Sequence, residues 1–581
     1  MGRMGSLAVR IPAGPPSRFP GMWVAEITAM SPPIPAAVRR SLRETFGLTE
    51  LRHGQQEVIS RVLEGHDTLA IMPTGAGKSL CYQLPALHLA GATVVVSPLI
   101  SLMKDQAGKL EEAGVSAEQL NSAQPRKEQG ASMERIADAE SDIVFATPER
   151  LTDPAFLAAL SSQKVALLVV DEAHCISQWG HDFRPAYLEI GSALDAIGRP
   201  PVLALTATAT PAVVEDIRHK LDRPAMHVVN TGIYRPNLRL QVVQVTNEDE
   251  KFDRLLQALR KAEGGGIVYT ATVTACTEVH RRLQAVGESV TLYHGRLPAA
   301  ERHANQDRFM NGEVRVMVAT NAFGMGIDKP DIRFVLHWQM PGSPESYYQE
   351  AGRAGRDGEP ADCALVFYRK DRQVQQFFLA RRYPTAEELR HVVDVLERAP
   401  EGLVQKDLDG RLPAVPSNRV AVSLNLLRDG GLVACDRNRR WTRRADRKAG
   451  HAALQSLAAG YVQKAGRDQE ALERMVFYAQ TGFCRWRVLL EYFDEPMPFE
   501  HRCGHCDNCL RPPVQPSVAK DDPMHRPAGP QRAPPLFKPG DSVRVPRYGD
   551  GKVAQVAGEE VTVLFPDRAR RRFLMAYVQR Q

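Results

Sequence analysis

A glycine-rich turn followed by Lys78 and Ser79 is the part of this sequence best suited to phosphate chemistry. The turn reads Met-Pro-Thr-Gly-Ala-Gly-Lys-Ser over residues 72–79 and follows an apolar run typical of a strand. Gly75 and Gly77 lack Cβ atoms, so backbone N–H groups can turn inward around phosphate oxygens. Lys78 can then reach the β- and γ-phosphates, and the Ser79 hydroxyl can bind Mg²⁺. The pattern predicts a phosphate-binding loop between a strand and a helix.

A pair of carboxylates supports a nucleotide-hydrolysis site. Phosphate-binding loops usually have glycine where Met72 stands, so the loop alone also fits a turn of another α/β protein. The apolar run Val165–Val170, however, predicts a strand buried on both faces of a parallel sheet, and Asp171 and Glu172 follow at its C-terminal end. Asp171 can hold Mg²⁺ through water, and Glu172 can polarise the attacking water. Together with the loop, these carboxylates predict a catalytic site.

The size and composition of the chain are those of a multidomain globular protein. Its 581 residues predict about three or four domains. No apolar stretch approaches the about 20 residues that span a bilayer, and prolines interrupt the apolar N-terminus, so we expect a cytoplasmic protein without a signal peptide. Lys and Arg outnumber Asp and Glu by 74 to 68, a net charge of +6 that permits nucleic-acid binding without requiring it.

Proline content and the spacing of apolar runs divide the chain into successive segments. The predicted segments are a disordered tail (1–35), a first α/β lobe (36–235), a second α/β lobe (236–375), a helical and winged segment (376–450), a cysteine-containing module (451–510), a Pro-rich linker (511–535) and a small β-rich module (536–581).

The second α/β lobe has no phosphate-binding loop but carries two arginines. Its predicted strands begin near Gly264 and are Ile267–Tyr269, Thr291–His294, Val314–Thr320 and Phe334–Leu336. Arg353 and Arg356 are spaced to lie on one face of a helix, where Arg356 would stabilise charge on the transferring γ-phosphoryl group. The alternative is a solvated basic helix. Gly352 and Gly355 argue against it, because glycine weakens a helix unless close packing requires it.

The order of these motifs resembles that of superfamily 2 helicases and, within them, the RecQ family of ATP-dependent DNA helicases. The resemblance covers about residues 38–375 and 450–510. It implies two tandem RecA-like lobes, ATP and Mg²⁺ as ligands, and DNA as the partner. The resembling segments are Arg52 to Gln55, Met72 to Ser79, Ser97 to Gln106, Thr147 to Leu151, Asp171 to His174, Thr206 to Thr210, Ala319 to Asp328 and Gln349 to Arg356.

The resemblance also implies roles for individual residues. Gln55 would read the adenine edge, Arg52 would stack on adenine, and Thr206 to Thr208 would link hydrolysis to strand movement. The implied phosphate-binding residues are Thr74, Gly75, Gly77, Lys78 and Ser79, and the implied catalytic residues are Lys78, Asp171, Glu172, Gln349, Arg353 and Arg356. Two segments depart from the family pattern: Val273 replaces a frequent arginine, and residues 293–297 read Tyr-His-Gly-Arg-Leu. Neither departure lies in the ATP site.

An aromatic-rich loop follows Asp171-Glu172 and resembles the DNA-sensing loop of the RecQ family. Trp179, Phe183 and Arg184 suit base stacking and phosphate contact. The alternative is that these aromatic residues belong to the core. The position of the loop beside the predicted catalytic carboxylates favours DNA binding.

Four cysteines near the end of the cysteine-containing module predict a structural zinc site. Cys503, Cys506 and Cys509 can present three thiolates from one turn, and Cys484 completes a tetrahedron of four thiolates that resembles the RecQ zinc module. Such a closed shell leaves no open position for catalysis. His501 and His505 are alternative ligands, but four thiolates already complete the shell.

The preceding segment, 376–450, predicts three helices and a hairpin with a basic tip, the outline of a winged helix. The helices are Ala386 to Arg398, Val404 to Leu408 and Ser417 to Arg428, and the hairpin strands are Gly431 to Cys435 and Trp441 to Arg443. In the RecQ family a winged helix normally follows the zinc module, so this order is unusual. The alternative is an ordinary helical linker domain.

The C-terminal module predicts a small β-barrel, because short alternating strands are separated by Gly and Asp turns. It resembles the Tudor-like tail of UvrD/PcrA-type helicases. Arg568, Arg570, Arg571 and Arg572 give it a basic edge. The sequence leaves both DNA and a protein partner open as ligands of this module.

Together these features predict an α/β, ATP- and Mg²⁺-dependent DNA helicase with bound Zn²⁺. The resemblance implies 3′ to 5′ movement, a role in recombination and repair, and a location in the cytoplasm on nucleoid DNA. Two alternatives remain: an RNA helicase of the same superfamily, and a DNA-structure-binding scaffold with a vestigial ATPase. The first would lack the aromatic loop and the four-cysteine module. The intact Lys78, Asp171, Glu172 and Arg356 argue against the second.

Overall fold

A computed structural model describes most of the chain. The described residues are 34–121, 124, 126–177, 185–324, 329–380, 383–436, 440–444, 450–511, 537–545, 549–557, 560–566, 570–575 and 578–580. Nearly all of the predicted tail (1–35) and of the Pro-rich linker (511–535) lies outside them. Trp179, Phe183 and Arg184 lie outside them as well. Among the described residues, no helix combines the length and apolar character needed to cross a membrane.

The first lobe is a seven-stranded parallel sheet covered by helices. Its strands are β1 (Thr68–Ile71), β2 (Ala92–Val96), β3 (Ala117–Leu120), β4 (Ile143–Ala146), β5 (Val165–Val170), β6 (Val202–Thr206) and β7 (His227–Asn230). Its helices are α1 (Ala36–Glu44), α2 (Gln55–Leu63), α3 (Leu80–Ala86), α4 (Ile100–Glu112), α5 (Arg126–Ala137), α6 (Pro154–Ser161), α7 (Ile190–Ala196) and α8 (Pro211–Lys220). The strand order is β3-β4-β2-β5-β6-β1-β7, which places β1 and β5 on either side of β6.

The central strands of this sheet are apolar because helices cover both of their faces. Strands β1 and β2 are buried at every residue, and β5 is buried at all but one. The predicted strand Val165–Val170 is thereby confirmed, and the strand before the glycine-rich turn is Thr68–Ile71, one residue shorter than the apolar run Thr68 to Met72 that predicts it. Both strands point their C-terminal ends toward the same edge of the sheet, where ligands of such folds bind.

The second lobe is a six-stranded parallel sheet with its own helices. The strands are β8 (Leu238–Val245), β9 (Gly265–Tyr269), β10 (Val290–Tyr293), β11 (Val316–Ala319), β12 (Ile332–His337) and β13 (Ala361–Tyr368). The helices are α9 (Glu248–Lys261), α10 (Val273–Ala285), α11 (Ala299–Met310), α12 (Pro344–Ala351) and α13 (Asp371–Ala380). The strand order is β10-β11-β9-β12-β13-β8. The four predicted strands correspond to β9 to β12, whereas β8 and β13 are additional.

A helical module follows the second lobe and agrees with the predicted outline. It consists of α14 (Ala386–Glu397), α15 (Gln405–Arg411), α16 (Ser417–Asp429) and the antiparallel strands β14 (Val433–Cys435) and β15 (Trp441–Arg443). The three helices and the hairpin are confirmed, while tip residues 437–439 lie outside the described part of the chain. The module has its own apolar core, built from residues such as Leu389, Val420 and Leu424.

One long helix connects this module to the second lobe. Helix α17 (His451–Gln480) has 30 residues, which corresponds to about 45 Å at 1.5 Å per residue. Leu454 and Ala458, near its start, pack into the core of the helical module. Leu472 and Met475, near its end, pack into the core of the second lobe. Helices α18 (Arg485–Tyr492) and α19 (Asp507–Leu510) then complete the cysteine-containing module against the same core.

The C-terminal module is a five-stranded antiparallel sheet. Its strands are β16 (Ser542–Val545), β17 (Gly549–Ala557), β18 (Glu560–Leu564), β19 (Arg570–Leu574) and β20 (Gln579–Arg580), in the order β19-β18-β17-β16-β20. Strands β19 and β20 form the two ends of that order and are not paired with each other within the described residues. One face is buried around Val543, Val561 and Val563. The described strands therefore form a small antiparallel sheet, and the described residues do not test its predicted closure into a barrel.

The predicted basic edge of this sheet is only partly exposed to solvent. Arg571 is 8% exposed, and its Nη2 donates to Gln244 Oε1 at 2.7 Å. Arg572 donates to Glu560 and lies 5.5 Å from the ring centre of Phe477. Of the predicted basic edge, Arg571 is therefore covered, because the sheet docks against β8 and α17, whereas Arg570 and Arg572 are exposed and Arg568 lies outside the described residues.

Candidate active site and metal centre

The glycine-rich turn lies between β1 and α3, at the C-terminal edge of the first sheet. Gly75 and Gly77 have φ values of 86° and 77°, a region that side chains other than glycine disfavour. A Cβ atom at Gly77 would lie 2.5 Å from Gln55 Nε2, and one at Gly75 would lie 3.0 Å from Arg356 Cγ. Both glycines are therefore required by conformation and by close neighbours. The second contact brings a second-lobe arginine directly against the turn.

Lys78 lies at the end of this turn, between the backbone and two carboxylates. Its Nζ donates to the Met72 carbonyl oxygen at 3.1 Å. Burial lowers the pKa of Lys78, while the nearby Glu172 and Asp171 oppose that shift. The Met72 carbonyl oxygen and the two carboxylates thus hold the Lys78 ammonium beside the turn. A phosphate bound in the turn would be a further anionic partner for it.

Asp171 and Glu172 follow β5 at the same edge of the sheet. Ser97 Oγ donates to Asp171 Oδ2 at 3.2 Å, and the Glu172 backbone N–H donates to Asp171 Oδ1 at 3.0 Å. Burial and the charge of Glu172 raise the pKa of Asp171 to about 7. Two carboxylates held together in this way favour a cation between them and the phosphates, so the donor set fits Mg²⁺.

The backbone at Glu172 adopts an unusual conformation. Its φ is 49° and its ψ is 48°, the left-handed region that a non-glycine residue enters only at a cost. Glu172 Oε2 is buried, accepts no hydrogen bond from the described residues and lies 3.4 Å from His174 Nδ1. Such a carboxylate has acceptor capacity left for a water molecule, as its predicted role requires.

His174 connects this carboxylate to the strand β6. Its Nδ1 lies 3.1 Å from Thr206 Oγ1, and Thr206 Oγ1 in turn donates to the Thr208 carbonyl oxygen at 2.9 Å. His174, Thr206 and Thr208 are all buried. The structure therefore joins the end of β5 to the segment Thr206 to Thr208 through side chains.

Ser79 has a fixed orientation. Its Oγ accepts a hydrogen bond from Gln106 Nε2 at 2.9 Å, and Gln106 Oε1 accepts one from the Tyr82 hydroxyl at 2.6 Å. Tyr82 is buried, which raises its pKa and keeps its hydroxyl protonated as a donor. Gln106 and Tyr82 were not singled out from the sequence as site residues, although Gln106 ends one of the resembling segments.

Gln55 and Arg52 lie directly behind the turn. Gln55 Nε2 donates to the carbonyl oxygens of Ala76 and Gly77 at 3.1 and 2.9 Å, and its Oε1 accepts from the Arg52 backbone N–H at 2.7 Å. Arg52 Nη1 also donates to the Gly75 carbonyl oxygen. Both side chains thus contact the phosphate-binding turn, and Gln55 is 2% exposed.

The arginines of the second lobe lie beyond a helix end. Helix α12 ends at Ala351, so the prediction that Arg353 and Arg356 share a helix face is wrong. Gly355, with a φ of 56°, turns the chain and directs Arg356 toward Gly75. Arg353 is 5% exposed, and a Cβ atom at Gly324 would lie 3.0 Å from its Nη2. Gln349 lies on α12 itself and is partly buried.

Arg235 is a site residue that the sequence did not reveal. It lies in the connection between β7 and β8 and is 8% exposed. Its Nη1 donates to Thr74 O in the first lobe at 3.3 Å and to Gly352 O in the second at 2.7 Å. Its Nη2 donates to Ala354 O at 2.9 Å and also to Gly355 O. The segment Tyr234-Arg235-Pro236-Asn237 had no recognised role, and only its position between two lobes could have drawn attention to it.

The four predicted cysteines come together as a separate site. The Sγ atoms of Cys484, Cys503, Cys506 and Cys509 all lie within 4.8 Å of one another. The Sγ atoms of Cys503 and Cys509 are 3.9 Å apart, close to the edge of about 3.8 Å that a tetrahedron with Zn–S bonds of about 2.3 Å requires. His505 Nδ1 lies 2.8 Å from the Cys503 carbonyl oxygen, outside the cysteine group. The geometry fits a closed zinc site with four thiolate ligands.

Backbone N–H groups and one ion pair hold these sulfurs in place. The N–H groups of Arg485 and Cys503 donate to the sulfurs of Cys506 and Cys484, both at 3.4 Å. Arg485, which is 1% exposed, forms two hydrogen bonds with Asp507 at 2.9 and 3.0 Å. Asp507 Oδ2 also accepts from the Val242 N–H of the edge strand β8 at 3.1 Å. The cysteine site is thereby attached to the second lobe.

Matches to known families cover both lobes and the cysteine site. Residues 52–217 match the DEAD/DEAH box helicase family, residues 250–358 match the helicase conserved C-terminal domain, and residues 445–510 match the RecQ zinc-binding domain.

Individual relatives agree with these matches. The ATP-dependent DNA helicase RecQ of Bacillus subtilis is 48% identical over 340 residues, which are 58% of this chain and 57% of that protein. The probable ATP-dependent DNA helicase RecS of Bacillus subtilis is 36% identical over 478 residues, which are 81% of this chain and 92% of RecS. This chain thus spans little more than half of that RecQ but nearly all of RecS.

The fold is also shared with a solved helicase structure. The Mycobacterium smegmatis helicase Lhr, solved with ssDNA and AMP-PNP, aligns with a TM-score of 0.50 and 21% identity over 73% of this chain and 62% of Lhr. At this identity the likeness concerns the fold alone. The relatives and the three matching families lead to the same assignment: the chain belongs to the RecQ family of superfamily 2 helicases.

Proposed function

We propose that this protein is an ATP- and Mg²⁺-dependent DNA helicase that moves 3′ to 5′ and acts in recombination and repair. The observation that carries the proposal is the contact across the cleft, where the Arg356 side chain lies against Gly75 of the phosphate-binding turn. An arginine from one lobe beside the phosphate site of another makes hydrolysis depend on the arrangement of both lobes.

Each side chain around the cleft has a role in this proposal. Lys78 and the N–H groups of the turn bind the β- and γ-phosphates, and Arg52 and Gln55 contact the adenine. Ser79 and Asp171 would hold Mg²⁺, which neutralises phosphate charge when bound. Glu172 accepts a proton from the attacking water. Arg356, together with Arg353 and Gln349, stabilises the charge that develops on the γ-phosphoryl group.

Coupling of hydrolysis to DNA movement would use the connection from Glu172 through His174 to Thr206. A change at the γ-phosphate alters the surroundings of Glu172, and the buried contacts of His174 pass this change to the segment Thr206 to Thr208. Trp179, Phe183 and Arg184 are proposed as the DNA-contacting residues of the adjacent loop. Two arrangements of the lobes with different grips on a single strand then move the strand.

Zn²⁺ bound by Cys484, Cys503, Cys506 and Cys509 is proposed to stabilise the fold without taking part in hydrolysis. The C-terminal sheet is proposed to be a Tudor-like barrel that binds DNA or a protein partner through the surface not docked on β8. The helical module 376–450 is proposed to be a winged helix. The place of action would be nucleoid DNA in the cytoplasm.

A strand-displacement assay tests the proposed function. The substrates are a 3′-tailed DNA duplex, a 5′-tailed DNA duplex and a 3′-tailed RNA duplex of equal length, each with and without ATP. We expect displacement only of the 3′-tailed DNA and only with ATP. Displacement of RNA in preference to DNA would support the RNA-helicase alternative. DNA binding with neither strand displacement nor DNA-stimulated ATP hydrolysis would support the scaffold alternative.

A further inference from the structure

The connection between the two lobes is attached to the turn that carries Arg356. The guanidinium of Arg235 donates to carbonyl oxygens of Gly352, Ala354 and Gly355, which follow the C-terminal end of α12. Asn237 Nδ2 donates to the carbonyl oxygens of Gly355 and Glu359 at 2.8 and 2.9 Å. Two side chains of the connection therefore bind backbone carbonyl oxygens of the turn that follows the helix, where no regular secondary structure pairs them.

This attachment gives the turn its shape. Gly355 has a φ of 56°, and a Cβ atom there would lie 2.5 Å from Asn237 Nδ2, so the turn and the connection leave no space between them. Arg356 follows directly and packs against Gly75. The direction of the Arg356 side chain is thus determined by a backbone segment that Arg235 and Asn237 hold.

Arg235 also reaches the first lobe. Its bond to Thr74 O, at 3.3 Å, is longer than its bonds to Gly352 and Ala354, at 2.7 and 2.9 Å. Arg235 therefore belongs to the second lobe and makes one weaker contact to the phosphate-binding turn. A Cβ atom at Gly352 would lie 3.6 Å from Thr74 Cβ, which shows how closely the two segments approach.

We propose that Arg235 is a positioning residue for ATP hydrolysis, which acts by fixing the Arg356 turn relative to the phosphate-binding turn. This inference rests on the proposed function. Arg235 makes no contact with the carboxylates Asp171 and Glu172 among its hydrogen bonds within the described residues, so its effect on hydrolysis passes through Arg356. Lysine cannot replace it, because an ammonium group lacks the planar fork that reaches several carbonyl groups at once.

The test is a double-mutant cycle of Arg235→Lys and Arg356→Ala, measured as DNA-stimulated ATP hydrolysis. We expect Arg235→Lys to lower kcat by about 10- to 100-fold, as small misplacements of catalytic groups do, and to leave KM for ATP within about threefold. The kcat of the double variant should equal that of Arg356→Ala alone. Arg235 acts by positioning the Arg356 side chain, so its replacement has no further effect once that side chain is absent. Arg239→Lys is the control, since the half-exposed Arg239 pairs with Asp362 and not with the Arg356 turn, so this variant should retain parent activity.

Separate outcomes distinguish the failure of this inference from the failure of the proposed function. The positioning role would be overturned if the fold losses in kcat of the two single variants multiply in the double variant. A raised KM of Arg235→Lys at unchanged kcat would overturn it as well. A parent protein without DNA-stimulated ATP hydrolysis would overturn the proposed function and this role with it. If Arg235→Lys does not fold, Asn237→Ala replaces it in the test. Asn237 is partly exposed, and its removal frees the same turn at Gly355 from the connection. Parent-like kcat in Asn237→Ala would then overturn the inference.

Discussion

Arg571 of the C-terminal sheet donates a hydrogen bond to Gln244 of the second lobe, with 2.7 Å between Nη2 and Oε1. Arg571 is nearly buried, and the neighbouring Arg572 lies over the ring of Phe477 on α17. The Pro-rich segment before the module 536–581 predicts a linker. The contacts show that the sheet after this segment docks on the edge of the second lobe.

Arg571→Ala should weaken this docking. A lost hydrogen bond to a charged group typically changes a free energy by about 1.5–3 kcal/mol, which corresponds to roughly 10- to 100-fold in association. A protease site inserted after Arg511 allows the module to be cut from the rest of the chain. Its association with the rest can then be measured by analytical ultracentrifugation. Arg570→Ala is the control, because Arg570 is exposed and neighbours Arg571 on the same strand. Equal association of both variants would show that Arg571 does not hold the module.

Lys78→Ala should abolish ATP hydrolysis. Lys78 directly follows Gly77 of the turn and is proposed to bind the β- and γ-phosphates. A loss of at least about 100-fold in kcat/KM is expected from the removal of a charge aimed at the γ-phosphate. The control Lys109→Ala removes an exposed lysine of α4 that pairs with Asp105. Hydrolysis by Lys78→Ala at the parent rate would disprove the assignment of the turn.

Much of the fold could be predicted because its signals are local. Val165–Val170 is wholly apolar, which identifies a central parallel strand and locates Asp171 and Glu172 at its end. The strand β8 was missed because it lies at the edge of its sheet and alternates buried and less buried residues, as Leu238, Arg239 and Leu240 show. Such a strand has the pattern of an exposed segment unless its partner is known.

The least predictable parts of the site depend on tertiary contacts. The spacing of Arg353 and Arg356 suggested one helix face, but the helix stops at Ala351 and Gly355 redirects the chain. The importance of Arg235 follows only from the meeting of two lobes far apart in sequence. The docking of Arg571 on Gln244 likewise joins residues more than three hundred positions apart, which no local pattern encodes.

Asp171→Asn should change the free energy of unfolding of the metal-free protein in a pH-dependent way. The difference, variant minus parent, should be larger at pH 8 than at pH 5. Burial and Glu172 raise the pKa of Asp171 from 3.8 to about 7. The folded parent therefore binds a proton more tightly than the unfolded chain, so the contribution of Asp171 to stability is lost as the pH rises from about 4 to about 7. The difference in stability between the two proteins should therefore widen between pH 5 and pH 8.

Thermal unfolding in EDTA checks this prediction, and asparagine is the matched change because it cannot titrate. A stability difference between parent and Asp171→Asn that stays constant over this range would contradict the raised pKa. A gain in stability of Asp171→Asn over the parent that grows toward low pH would show that the pKa of Asp171 is lowered in the folded protein.

Cys506→Ser should lose zinc and loosen the cysteine-containing module. Four thiolates complete the predicted shell, so metal analysis of the parent should give about one zinc per chain. Because Asp507 joins this site to Val242, unfolding should spread to the edge of the second lobe. Cys435→Ser is the control, since Cys435 is exposed and far from the cysteine group in sequence. Full zinc occupancy in Cys506→Ser would exclude Cys506 as a ligand.

Hydrolysis in the cleft between the lobes is proposed to drive strand separation. Glu172→Gln tests it most directly, because the amide retains the size of the side chain but cannot accept a proton from water. The measurement is displacement of a 3′-tailed DNA strand with saturating ATP, at protein concentrations that give equal DNA and ATP binding in both proteins. We predict that the parent displaces the strand and that Glu172→Gln binds both ligands without displacing it. Displacement by Glu172→Gln at the parent rate would contradict the account.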